Sequence, residues 1–382
     1  MSWKKVWITV LALVLTAGLL ASCQPATGEP SGTSSQEQSQ AQSQPQEKLK
    51  VGIVYISPKD DGGWSQAHSR GFEEAVAAIG ADKVELNEIE SIEDTDPAGT
   101  ETAIRTLIAN GSEIIFATSW GYIDTVEMLA DEFPDVKFEH CSGYKSADNF
   151  DNYFAQIEQA RYLTGIIAGY ATKTDKIGYV GAQPLAEVVR GLNAFTLGVR
   201  SVNPDAEVHV LFTGSWFNPE QEKANAEALI QKGCDVMSQH QDSPSALIAA
   251  EEAGILGFGY DNPMGSFAPN AYLSAPIFNW GKYYETKIQA MIDGTWSVMQ
   301  SWDGLETSVV ELDTLSDKVP QEAKTKIDEI RPLLEEQGNA YFFTGPLKDN
   351  KGNDVLADGV ALTKEEQFAM DWLVEGVVGE LP

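Results

Sequence analysis

Three tryptophans stand just past apolar, strand-like runs: Trp64 in SPKDDGGWSQ, Trp120 in TSWGY and Trp216 in TGSWFN. Phe217 follows the third, Ser119 and Tyr122 flank the second, and Trp280 lies in the later stretch APIFNWG. A loop that only joins a strand to a helix needs turn residues, and an indole placed there costs free energy unless something covers it. Aromatic faces on two walls, with carboxylates and amides between them, suit a planar heterocycle. The rings stack on its faces and the polar groups read its edge. Stacking of this kind contributes about 0.5–1.5 kcal/mol per ring beyond the area buried. The candidate edge-readers are Gln239 and Asp242 in QHQDS and Asp261 in GYDNP. Asp242 has a second reading, as the cap of the helix SPSALIAAEEAG, and each aromatic has the alternative of core or rim packing.

Residue patterns for covalent or metal chemistry are weak. Of the four histidines, His140 and His240 end strand-like runs, but neither has a second His or Cys at ligand spacing, and His140 and Cys141 would point to opposite faces of a strand. No Gly-x-Ser-x-Gly elbow, P-loop or Gly-x-Gly-x-x-Gly turn is present. The segment KDNKGNDVLADG places Lys351 where a calcium loop needs its third oxygen ligand, so it reads as a hairpin turn. The acids of DDGG read as a turn and helix cap. A binding protein with no metal and no cofactor is therefore expected, not an enzyme.

The elements that must position these residues alternate along the chain. β-rich runs occur at 50–56, 84–89, 113–118, 136–140, 176–180, 207–213, 235–239, 255–260 and 271–277. Between them, Phe72, Ala75, Val76 and Ile79, and again Ala103, Ile104, Leu107 and Ile108, fall on single helical faces. Strands alternating with helices predict an α/β fold with parallel sheets, and runs such as EIIFATS are apolar enough to be covered on both faces. The count of strands predicts two doubly wound lobes. Lobe 1 is assigned to 50–154 plus 277–305, and lobe 2 to 155–276 plus 306–382. The chain is expected to cross near Tyr153–Gln156 and to return near Ser274–Asn279, with the tail forming a helix and a hairpin. Ligands of open α/β sheets bind at the carboxyl ends of the strands, which is where the aromatics fall.

The flanks carry their own signals. Lys4 and Lys5 precede the apolar run 6–22, which ends in LASC at Cys23. This pattern predicts a secretory signal at 1–22 with Cys23 lipidated, against the alternative of a plain membrane anchor. Residues 23–49 are rich in Ser, Gln, Pro and Glu and are expected to be a disordered tether, leaving the body outside the cytoplasmic membrane. The run YLTGIIAGYA is too short to cross a bilayer. The net charge is −31, or −33 once the two signal lysines are removed, which disfavours nucleic acid as a partner. Cys141 and Cys234 are expected to be buried thiols.

The stretches KVGIVYISPKDDGGWSQAHSRGFEEA, IIFATSWGYIDTVEMLADEFPDVKFEH and GYVGAQPLAEVVRGLNAFTLGVRSVNPDAEVHVLFTGSWF resemble the basic membrane protein family, over nearly all of residues 50–350. These are substrate-binding lipoproteins of ABC importers. The resemblance implies a type I periplasmic-binding-protein fold with a multi-strand hinge, a monomer, and a permease and ATPase as membrane partners. It also implies a purine nucleobase or nucleoside as ligand. By position, Trp64 matches the family's stacking aromatic of lobe 1, Trp216 or Phe217 its opposite number, and Asp261 the acid that holds ribose hydroxyls. The lysine that accompanies that acid in nucleoside receptors is replaced here by APIFNWG, which favours a bare, adenine-like base. A ligand-occupancy sensor with the same cleft, or a sugar binder, remains an alternative at this stage.

Overall fold

The computed structural model describes residues 47–382. The expected signal segment, Cys23 and the tether through residue 46 lie outside the described residues. The chain runs β1 (Leu49–Val54), α1 (Trp64–Ile79), β2 (Val84–Ile89), α2 (Pro97–Ala109), β3 (Ile114–Ala117), α3 (Ile123–Glu132), β4 (Lys137–Cys141), β5 (Phe150–Ala155) and α4 (Glu158–Ala171). A second alternation follows: β6 (Lys176–Gly181), α5 (Ala186–Val202), β7 (Glu207–Phe212), α6 (Pro219–Gln231), β8 (Val236–His240), α7 (Ser245–Glu252) and β9 (Leu256–Gly257). The chain returns through β10 (Pro276–Phe278), α8 (Gly281–Ile292) and β11 (Ser301–Asp303). It crosses once more through β12 (Val310–Leu312) to α9 (Gln321–Gln337), a hairpin of β13 (Leu347–Lys348) and β14 (Asp354–Leu356), and β15 (Val377–Val378).

Two parallel sheets result. The first has the order β11-β5-β4-β3-β1-β2 and the second β15-β7-β6-β8-β9. The order of each sheet reverses once, between β1 and β3 and between β6 and β8. Those switch points are where crevices open at strand ends. One strand at each place is buried along its whole length, IIFA of β3 and VMSQH of β8. Antiparallel pairing of β10 with β12 ties the two return crossings together.

Three sequence expectations need adjustment. β1 opens at Leu49, inside the stretch read as tether, because Leu49 pairs with Val84 and is buried. The runs 255–260 and 271–277 yield only the short β9 and β10, with Gly257 bridging Tyr272. Asp261 adopts a left-handed backbone, φ 65°, which turns the chain out of the sheet. The apolar run YLTGIIAGYA forms most of α4, a helix buried on nearly every face. Close packing of α4 on α5 requires glycine: a Cβ on Gly165 would meet the Phe195 carbonyl oxygen at 2.1 Å, and one on Gly198 the Tyr162 oxygen at 2.1 Å. No helix among the described residues is long and apolar enough to cross a membrane.

α8 packs back on lobe 1. Tyr284 stacks on Phe72 of α1 at 3.8 Å, and Lys287 pairs with the buried carboxylates Glu139, at 3.1 Å, and Asp151. Cys141 and Cys234 are buried free thiols.

Candidate functional site

The first wall grows from the loops after β1, β3 and β4. After β1, the Asp61 carboxylate accepts from Ser57 Oγ at 2.6 Å and from the backbone N–H of Gly63, Ser65 and Gln66 at 2.8, 3.0 and 3.1 Å. It therefore serves the free donors at the start of α1, the work expected of an acid at a helix N-terminus. This seats Trp64 as the first helical residue. Its Nε1 donates to the Thr118 carbonyl at 2.7 Å, and the indole stands edge-on to Phe278 and Trp280 at 5.6 and 6.3 Å. After β3, Ser119 Oγ and the Gly121 N–H both donate to Asp94 Oδ2, at 2.7 and 3.1 Å, leaving the neighbouring Trp120 38% exposed. After β4, Ser142 points across the cleft.

The second wall comes from α5 and the loops after β7, β8 and β9. Glu187, in the first turn of α5, accepts from Ser142 Oγ of the first wall. Trp216, after β7, donates its Nε1 to Asp94 Oδ2 at 3.1 Å, a second bond between the walls. The Asp242 N–H donates to the Trp216 carbonyl at 3.1 Å. Behind it, His240 Nε2 lies 3.1 Å from the Tyr260 hydroxyl. The walls also touch directly: a Cβ on Gly63 would stand 2.4 Å from the Asp242 carbonyl oxygen. Only glycine lets the DDGGW loop close on the opposite lobe in this way.

Between the walls lies a cavity lined by Ile56, Trp64, Ser119, Trp120, Ser142, Glu187, Trp216, His240, Asp242 and Tyr260. Four aromatic rings and two carboxyl groups face the space, and none of the ten residues is Lys or Arg. Burial raises Asp242 well above the usual carboxylate range, and the nearby carboxyls of Asp261, Asp61, Glu222 and Asp94 push it further. Burial also raises Glu187, opposed by its bond from Ser142 and by Arg190 and Arg161. His240 is held neutral by burial and by the same two arginines, so its 3.7 Å approach to Glu187 is not an ion pair. The chamber is faced by aromatic rings, and burial shifts both of its acids toward their neutral forms. It offers no counter-charge to a phosphate.

Of the ten residues singled out from sequence, Trp64, Ser119, Trp120, Trp216 and Asp242 stand at this cavity. The other five do not. Tyr122 turns into the lobe 1 core and donates to the Ile92 carbonyl. Trp280 is 1% exposed, stacked on His68 and Phe278 behind Trp64. Gln239 points away from the cavity, its Nε2 toward Met264 Sδ at 3.3 Å. Asp261 is fully buried beside the cavity, and neither of its oxygens has a partner among the described residues. Phe217 lines an outer mouth of the cleft, not the inner chamber. The helix-cap reading of Asp242 does not hold: α7 starts at Ser245, whose N–H is served by Ser243 Oγ at 3.2 Å. Sequence reasoning placed His240 at a strand end facing the cleft, though not as a ligand contact, and did not single out Ile56, Ser142, Glu187 or Tyr260 as cavity residues. The strand-end rule would have reached all of them except Glu187, which no motif marks.

The comparisons with known proteins agree with this architecture. A purine-binding protein of Brucella abortus (strain 2308) is 39% identical over 337 residues, 88% of this chain and 95% of that protein. A protein of Haloferax volcanii, whose name provisionally assigns it glucose binding for an ABC transporter, is 37% identical over 88% of this chain and 82% of its own length. Among solved structures, solute-binding proteins of ABC transporter systems from Aeropyrum pernix K1 and Conexibacter woesei DSM 14684 share the fold, with TM-scores of 0.65 and 0.60. They are 17% and 21% identical and cover 80% and 75% of this chain, and 94% and 96% of their own. Residues 48–337 match the family model described as ABC transporter substrate-binding protein PnrA-like, and the chain belongs to this Bmp family of substrate-binding proteins.

Proposed function

We propose that this protein captures an uncharged, adenine-like purine base between its two lobes and presents it to a membrane permease worked by an ATPase. The observation that carries the reading is the chemistry of the inner chamber. Its four aromatic rings and two carboxyls suit a flat polar-edged molecule. Asp242 in its acid form offers one O–H donor and one carbonyl acceptor. The N7/N6 edge of adenine presents the complementary acceptor and donor, whereas guanine presents two acceptors there. Ligand touching both walls stabilises the closed arrangement, in which Trp216 meets Asp94 and Ser142 meets Glu187.

The protein acts outside the cytoplasm, as substrate-binding proteins of ABC transporters do, and a lipid on Cys23 would hold it to the membrane. Replacing Cys23 by Ala should release it from the membrane fraction. The ligand is tested by mass spectrometry of small molecules freed on denaturing protein purified from its source. Calorimetry with adenine, guanine, adenosine and glucose completes the test. Recovery or tightest binding of adenine is expected. Binding of glucose with no response to any purine would overturn the reading in favour of a sugar receptor.

A further inference from the structure

The inner chamber shares Trp120, Ser142 and Glu187 with a second hollow of about 500 Å³. Its added walls are mainly apolar and come from three parts of the chain. Tyr144 and Phe154 belong to lobe 1, Leu185 and Ala186 lead into α5, and Phe368 and Ala369 belong to the C-terminal segment. The charged residues there leave the apolar walls free. Arg190 is already paired with Glu158 at 2.8 Å and lies over the Phe368 ring, and Glu365 is exposed at the rim. The opposite mouth, about 480 Å³, is different in kind. Ser57, Ser91, Glu93, Asp94, Gln183 and Ser215 make it polar and acidic. Phe368 and Ala369 also lie beyond residue 337, where the match to the family model stops.

We infer that this apolar vestibule is a subsite for a hydrophobic substituent carried on a nitrogen of the bound purine, so that the ligand class includes N-alkyl and N-aryl purines. The inference rests on the base-binding reading of the inner chamber. Trp120 is the wall common to both spaces, so a ligand whose base occupies the chamber can extend along one continuous aromatic surface. The Ser142–Glu187 hydrogen bond lies at the boundary. A ribose, with its three hydroxyls, gains nothing from such walls, whereas an aryl group is removed from water by Phe154, Phe368 and Tyr144.

The test is calorimetry with adenine, N6-benzyladenine and 9-benzyladenine on the wild-type protein and on Ala369→Trp. This substitution places a ring in the vestibule from an exposed position and leaves the inner chamber alone. At least one benzyl compound should bind the wild type ten times or more tighter than adenine does. Ala369→Trp should abolish that gain while holding adenine affinity within twofold. Tyr144→Ala, at another exposed position, should reduce the gain in part. If adenine binds and neither benzyl compound binds tighter, the vestibule inference fails alone. It fails too if the gain survives Ala369→Trp, because the ring then sits elsewhere. If no purine binds at all, the base reading and this inference fall together.

Discussion

The indole Nε1 of Trp216 donates across the cleft to Asp94 Oδ2 at 3.1 Å, joining the second lobe to an acid that the first lobe already holds through Ser119 and Gly121. Because Asp94 keeps those two donors, removing the third leaves no orphaned charge, and the loss isolates the contribution of the interlobe bond. Trp216→Phe should preserve a ring at the chamber and weaken purine binding by roughly threefold to tenfold. The change should appear as faster release, measured by stopped-flow fluorescence, with association little altered. Unchanged release would show that the bond does not hold the lobes together in the loaded state.

Asp242 gives a pH dependence with a definite sign. Its acid form is stabilised by burial and by neighbouring carboxyls, and the proposed pairing with adenine uses that form. Affinity should therefore fall as pH rises through its elevated titration, measured by calorimetry between pH 6 and 9. Asp242→Asn supplies the same donor and acceptor without a titrating proton. It should bind with near wild-type affinity and a flat pH profile, while Asp242→Ala should lose about tenfold or more. Affinity that rises with pH, together with a damaged Asn variant, would mean that the ionised carboxylate is the binding form.

Glu222 tests the energetic cost of the same acidic neighbourhood. Burial raises it to about 7 from an ordinary 4.5, even though it accepts from Ser243 and from the Asn218 N–H. A carboxyl whose folded value is raised contributes stability that is complete below its unfolded value and is lost as pH rises through the folded one. The window is thus pH 4.5 to about 7. Glu222→Gln should erase this contribution. Relative to wild type, the variant should gain up to about 3 kcal/mol between pH 5 and pH 8, read from denaturant unfolding at each pH. A constant difference across that range would place the titration elsewhere.

Lys287 faces two buried carboxylates, Glu139 and Asp151, and it also donates to the Ser297 carbonyl at 2.9 Å. Burial is the main cause of the rise of Glu139 to about 7, and Lys287 is the first influence against it. Lys287→Met keeps the aliphatic stem but strands both acids, and should destabilise the protein by about 3–5 kcal/mol. Adding Glu139→Gln should recover part of that loss in the double variant. If the double variant is no more stable than the single one, the carboxylate pair is not the source of the damage.

The sequence made the sheets legible because alternating apolar runs and amphipathic stretches leave few other folds open. The strand-end rule then brought Trp64, Trp120, Trp216 and Asp242 to one cleft. Errors of a single residue explain much of the rest. Successive side chains on a strand face opposite ways, so of the last two residues of β8 His240 faces the cavity and Gln239 does not. Composition carries no information about that parity at the last residue of a strand. Tyr122 and Trp280 failed for another reason. Tyr122 ends a three-residue helical turn and Trp280 precedes the first residue of α8, and a large ring at either place is as useful to a core as to a ligand. Glu187 was invisible because it meets Ser142 only when two lobes, 45 residues apart in sequence at that point, close together.

The backbone at Asp261 separates base from nucleoside. Tyr260 lines the chamber and holds His240, while Asp261 turns into the protein interior with both oxygens unpartnered and φ at 65°. Asn is the substitution at Asp261 that keeps this left-handed backbone, since Asp and Asn tolerate it best among residues with side chains. If the ligand is a bare base, Tyr260→Leu should weaken adenine binding by about tenfold, and Asp261→Asn should leave it within about twofold, by calorimetry. If the ligand is a nucleoside whose ribose reaches Asp261, the pattern inverts. Adenosine would then bind tighter than adenine to the wild type, and Asp261→Asn would cost adenosine a charged hydrogen bond, roughly tenfold or more in affinity. Measuring both ligands on both variants decides between the two, because no arrangement with Asp261 sealed away from the chamber gives the second pattern.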